Sequence, residues 1–153
     1  MRPLALRVLT AGERSIADEM FGEGLDPAIV RILALPFWTR AFVAGPRLMV
    51  WPVGSARSDF AAPATPLTVQ GVFVHELTHV WQAQNGVRLL WAKLKAGDRP
   101  DAYAYDLDAG AAFPNLNIEQ QAMVVEHAFL ASRGGEVQHP AERYAAVRSA
   151  WRG

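Results

Sequence analysis

Two histidines four residues apart, with a glutamate directly after the first, are the residues of this chain whose types and spacing could do chemistry. They are His75, Glu76 and His79, in the run Phe73-Val74-His75-Glu76-Leu77-Thr78-His79-Val80-Trp81-Gln82. Side chains at i and i+4 of a helix project from one face, so the two imidazoles can reach a common point. Neutral imidazole nitrogens about 2 Å from a Zn²⁺ ion supply two corners of a tetrahedron. The glutamate beside the first histidine then points to the open corner, where it can take a proton from metal-bound water whose pKa the zinc has lowered to about 7. This is the HExxH arrangement. Burying three such groups unpartnered in an apolar run would be costly, and a divalent cation removes that cost.

A catalytic zinc site needs a third protein ligand. The chain has no cysteine, so thiolates and disulfides are both excluded. The candidates are His127, His139, Glu119, Glu126, Asp106 and Asp108. A histidine six residues after His79 would mark one zincin branch, but position 85 is Asn. An acidic ligand from a second helix is the common alternative. Glu119 lies 40 residues after His79, in Asn115-Leu116-Asn117-Ile118-Glu119-Gln120, and can face the first helix while Ile118, Ala122, Val125 and Phe129 pack beside it. Glu126, two turns on and nearly on the same face, is the second choice. Tyr103 and Tyr105 lie between the two helices, where a phenol could stabilise the oxyanion of a tetrahedral intermediate. Tyr105 is the expected catalytic tyrosine, with His127 an alternative for the same part. Gln82 could line the site, although a polar residue near a helix end has a plainer account.

The elements that must hold these residues can be read around them. Thr10 followed by Glu13 reads as a capping box opening a helix from about Ala11 to Met20. The apolar runs at 28–33 and 47–53, bounded by Pro and Gly, read as strands. A small-residue loop at 54–66 precedes the long motif helix, with Thr65 as N-cap and Pro66 at its first position. That helix is apolar on nearly every side, as a buried helix is, and Asn85-Gly86 ends it. A shorter helix is expected over 87–94 and a long ordered loop over 96–117. Asn117 then caps a helix that Gly134-Gly135 stops, and Pro140 opens a last helix to about Trp151. The tryptophans, Trp81 and Trp91 in particular, read as core.

Composition sets the outer limits. The 153 residues suit one domain, with 51% hydrophobic and 20% charged residues, in the globular range. Fifteen basic residues balance fifteen acidic ones, and no basic face suggests a nucleic-acid partner. No segment approaches the roughly 20 apolar residues of a membrane span. The N-terminal residues make a poor signal peptide, so the expected localisation is cytoplasmic as synthesised.

The run His75-Glu76-Leu77-Thr78-His79-Val80-Trp81-Gln82, the segment from Asp101 to Phe129 and the front half, Leu9 to Leu33, together resemble a group of small bacterial HExxH proteins described as Vgr-related or Rhs-associated and linked to type VI secretion. The motif also resembles the HExxH core domains of contractile-injection-system cargo. The resemblance implies an α+β, minimal gluzincin-like fold: a small sheet, an active-site helix and a glutamate-bearing helix. It implies His75, His79 and Glu119 as zinc ligands and Glu76 as the base. Many gluzincins carry an acidic residue four positions after the ligand glutamate to orient a histidine. Here that position is Met123, so the orienting groups are expected elsewhere, from Asn117 or an aspartate of the 106–108 loop. The expected function is a zinc-dependent peptidase acting on a peptide or protein substrate; the resemblance implies secretion-system components as partners and export by a signal-peptide-independent system. The competing reading is a zinc-stapled adaptor or cargo-docking module without catalysis.

Overall fold

A computed structural model describes residues 1–153 and has an α+β architecture: a small mixed sheet with helices packed on one face. The strands are β1 (Leu6–Val8), β2 (Arg31–Leu35), β3 (Phe42–Val43) and β4 (Leu48–Pro52), in the order β1-β2-β4-β3. β2 and β4 are parallel, and the two outer pairs are antiparallel. Successive strand residues face opposite sides of a sheet. The inward set of Ile32, Ala34, Met49, Trp51 and Val43 is buried in the core. The helices are α1 (Ala11–Phe21), α2 (Leu67–Gln84), α3 (Leu89–Ala96), α4 (Ile118–Ser132), α5 (Ala141–Val147) and α6 (Ser149–Arg152). No helix is long and apolar enough to cross a membrane.

Local chemistry explains most boundaries. Thr10 accepts from Glu13 N while the Glu13 side chain returns to Thr10 N, the capping box expected at α1. Asn117 caps α4 in the same reciprocal manner with Gln120. Pro66, not Thr65, is the N-cap of α2; the Thr65 hydroxyl donates instead to Asp59 O, 3.1 Å away. The expected 28–33 strand begins later, because the Asp26 carboxylate accepts from Ala28 N and holds Pro27–Ile29 in a 3-10 turn. The last helix breaks at Arg148 into α5 and α6. β4 is an interior strand, and the short strands β1 and β3, which no sequence pattern announced, form the edges. Trp81 packs on Phe21 at 6.2 Å between ring centroids. Trp91, expected in the core, is 68% exposed.

Candidate metal centre

α2 lies against α4, and Gly71 permits the close approach: a Cβ there would meet Leu130 Cδ2 at 3.0 Å and Glu126 Cγ at 3.4 Å. One turn along α2 comes His75, one turn further His79, and the first turn of α4 brings Glu119 to them. The Nε2 atoms of His75 and His79 each lie 3.2 Å from the same oxygen, Glu119 Oε2. These three candidate ligand atoms lie within 4.8 Å of one another, and all three residues are buried.

The other ring nitrogens are held from behind. His75 Nδ1 lies 3.1 Å from Glu126 Oε2, and His79 Nδ1 lies 2.8 Å from Gln82 Oε1. The Gln82 amide is itself oriented, because its Nε2 donates to Ile118 O and to Gln121 Oε1. Carboxylate and amide oxygens only accept, so each Nδ1 carries the hydrogen. In the neutral imidazoles both Nε2 lone pairs therefore face the lone pairs of Glu119 Oε2. Three electron-pair donors crowded on one point repel unless a positive charge sits among them. A divalent cation with nitrogen and oxygen preference fits this donor set.

The titration behaviour has the same cause. Burial opposes a charge on His75, yet hydrogen bonds to Glu119 and Glu126 hold its pKa up at about 9. Burial pushes the Glu119 carboxyl up, but the two histidines hold it well below the usual carboxylate range. The pocket stabilises positive charge, whether carried by protons or by a metal. Lys93 Nζ approaches the free Glu119 oxygen, Oε1, at 3.7 Å.

Glu76 differs from all of these. It is 7% exposed, and its Oε2 is buried without any hydrogen-bond partner. It lines a cleft of about 600 Å³ together with His75, His79 and Glu119. Trp38, Phe42, Trp51 and Val72 give that cleft its apolar wall, and Arg40 and Tyr103 a polar one. The Tyr103 ring lies 6.3 Å from that of His75, and Arg40 donates to its hydroxyl at 3.2 Å. Burial and the Glu119 charge push the Tyr103 phenol up, against the pull of Arg40.

The structure thus brings His75, Glu76, His79 and Glu119 together and leaves Tyr105 out. The Tyr105 hydroxyl lies 2.6 Å from His127 Nδ1 and 2.7 Å from Tyr144 Oη, in a knot that ties the 103–108 loop to α4 and α5. Burial and the Tyr144 contact raise the Tyr105 pKa, and burial lowers that of His127. Tyr103 is the tyrosine of the cleft. Glu126 is not a ligand in this geometry but the group behind His75, and Gln82 is the group behind His79. Asn117 cannot serve that purpose, since its side chain caps α4 and donates to Ala102 O. Asp106 and Asp108 lie instead beside His139. The spacing held a signal for the two orienting residues: Gln82 follows His79 by three positions and Glu126 follows Glu119 by seven, each on its ligand's own face.

No protein-family model matches the chain. Over 131 residues the chain is 34% identical to the type VI secretion system spike protein VgrG2b of Pseudomonas aeruginosa. That match takes in 81% of this chain and 13% of the spike protein, so the chain spans only a small part of its curated relative. Among solved structures, the effector domain of Pseudomonas aeruginosa VgrG2b superposes with a TM-score of 0.69 at 32% identity, over 95% of this chain and 82% of that one.

Proposed function

This chain belongs to the family of the VgrG2b effector domain, and from that premise we propose that it is a zinc-dependent peptidase delivered by a type VI secretion system. The observation that carries the enzymatic reading is the orphaned Glu76 Oε2 at the edge of the His75, His79 and Glu119 donor set. A buried carboxylate oxygen without a donor is a standing cost to the fold. A purely structural metal staple has no use for it, and would not need an adjoining cleft of about 600 Å³.

His75 Nε2, His79 Nε2 and Glu119 Oε2 would hold the ion, and a Zn²⁺ there would supply Lewis acidity towards a substrate carbonyl and an attacking water. Glu76 then acts as the general base, its free oxygen accepting the water proton and returning it to the leaving amine nitrogen. Glu126 and Gln82 keep both histidines in the Nδ1–H tautomer, so that the Nε2 lone pairs remain directed at the site. Tyr103, on the cleft wall with its hydroxyl between Arg40 and Asp98, would turn that hydroxyl from Asp98 to donate to the carbonyl oxygen as negative charge develops. The wall of Trp38, Phe42 and Val72 suits an apolar substrate side chain.

Elemental analysis and a broad peptide library test this reading together. Protein purified without chelator should carry about one zinc per chain, and His79→Ala and Glu119→Ala should each lower zinc affinity by orders of magnitude. The wild type should cleave members of the library and lose that activity on chelation. Zinc bound as expected but no cleavage across the library would give the site to a structural staple instead.

A further inference from the structure

Apart from Leu4, Leu6 and Val8 at the β1 edge of the sheet, the exposed large apolar side chains lie on α3, on the turn before β3 and at Val72 of the cleft wall. Leu90, Trp91 and Leu94 of α3 are 73%, 68% and 69% exposed, and Phe37 and Trp38 are 102% and 50% exposed. α3 packs on the core through its other side, with Leu89 buried and Ala92 and Ala96 against the core. At 3.6 residues per turn, Leu90, Trp91 and Leu94 form one outward stripe, with Lys93 on one flank and Lys95 on the other. A helix of a water-soluble domain ordinarily turns such a stripe inward. Phe37 has φ 60°, an uncommon conformation for a bulky residue.

These two apolar elements share one rim. Trp38 and Lys93 line the same cleft. Arg40, in the turn that carries Phe37 and Trp38, reaches Asp98 just beyond α3 at 3.7 Å. Charge on the α3 side leans positive: Arg40 is met by Asp98, Lys93 by Glu119 and Arg99 by Asp101, which leaves the exposed Arg88 and Lys95 as cations without a carboxylate. Apolar and aromatic side chains flanked by basic ones are the composition that seats a helix at the headgroup level of an anionic bilayer. A second copy of the chain suits this face poorly, because a two-fold interface would set the same cations against each other.

We propose that this rim, formed by α3 and the Phe37–Trp38 turn, docks the protein on an anionic phospholipid bilayer, with Leu90, Trp91 and Leu94 at headgroup depth and Arg88 and Lys95 on lipid phosphates. Docked in this way, the cleft opens at the membrane surface. Given the peptidase reading above, on which this step rests, the substrate class is the membrane-proximal segment of a membrane-attached protein. Docking itself is measured without catalysis, so the two readings fail separately.

Co-sedimentation of the full chain with phosphatidylglycerol-containing vesicles and with pure phosphatidylcholine vesicles is the test. The wild type should prefer the anionic vesicles by at least about tenfold, less so as salt is raised. Its tryptophan emission should shift to the blue on binding. Trp91→Ser combined with Leu94→Ser should weaken that binding by at least about tenfold, and Lys95→Glu should weaken it while leaving the apolar stripe intact. All three positions are solvent-facing, so melting temperatures should match the wild type. Binding to neither vesicle, equal binding to both, or equal binding by wild type and the double variant overturns the proposal. So does a concentration-dependent dimer that the double variant abolishes, which would give the face to a second copy.

Discussion

Glu13 and Glu76 are both buried glutamates on helices, and the two corners of the molecule treat them in opposite ways. Glu13 is 0% exposed and fully occupied. It takes a two-pronged contact from Arg7 Nη1 and Nη2 at 2.7 Å each, Thr10 N at 2.8 Å and Phe60 N at 2.8 Å. It thereby pins β1, the start of α1 and the loop before α2 to one another. Glu76 is 7% exposed with a bare oxygen, while Gln82 is held on His79, Glu126 on His75, and Arg40 on Tyr103 and Asp98. A carboxylate that closes its own hydrogen bonds holds a structure together. One left open beside a lone-pair donor set is available to a reacting molecule.

The comparison breaks most readily on stability. Removing one partner of a buried, hydrogen-bonded ion pair costs about 3–5 kcal/mol. Glu13→Ala should therefore lose about that much in urea unfolding, with Arg7 left without its carboxylate and two backbone N–H groups left bare. Glu76→Gln removes an uncompensated charge and should unfold within about 1 kcal/mol of wild type, or slightly later. Peptide hydrolysis should move the other way. Glu76→Gln should lower it by the roughly 10²- to 10⁴-fold that a positioned base contributes, with zinc content unchanged. If Glu76→Gln destabilises the protein as Glu13→Ala does, then Glu76 is a structural residue and the contrast is lost.

A smaller effect sharpens the same contrast from behind the site. Glu126→Gln replaces the carboxylate that holds His75 Nδ1–H, and Gln82→Ala removes the amide that holds His79 Nδ1–H. Each should cost about 10- to 100-fold in zinc affinity, measured by competition with a chelator of known strength, while one zinc per chain is still bound at saturation. Complete loss of metal in Glu126→Gln would make Glu126 a ligand and shift the donor set two turns along α4.

The grouping of His75, Glu76, His79 and Glu119 was legible in the sequence because the information is local. Two histidines at i and i+4, and a capped amphipathic helix carrying Glu119, are written in consecutive residues. Thr10 with Glu13, and Asn117 as a cap, mark two helix starts for the same reason. What escaped depends on packing between distant segments. Tyr103 and Tyr105 are two positions apart, and only the fold of the 98–108 loop decides which phenol enters the cleft. Arg40 meets Tyr103 across 63 residues, and the edge strands β1 and β3 are three and two residues long, too short for a pattern. Thr65 lost its capping place to a longer-range bond with Asp59 O. The residue type of Trp91 alone points to core, whereas its exposure follows from which face of α3 the two alanines present inward.

The smallest expected effect concerns a second trio with a similar residue inventory. Asp106, Asp108 and His139 also bring their candidate ligand atoms within 4.8 Å of one another, but both aspartates are exposed. Asp106 Oδ1 already accepts from Asp108 N at 2.8 Å. Asp108 Oδ1 accepts from Arg143 Nε at 3.0 Å, with both side chains open to solvent, so a guanidinium already supplies the positive charge. An exposed pair of this kind is worth about 0–1 kcal/mol. Asp108→Asn should accordingly change unfolding stability by no more than about 1 kcal/mol and leave the zinc count at one per chain. A second zinc equivalent in the wild type that disappears in Asp108→Asn would mean that proximity of ligand atoms suffices in this fold. An unchanged count would leave burial, present at His75 and His79 and missing at both aspartates, as what separates a metal site from a cluster of charges.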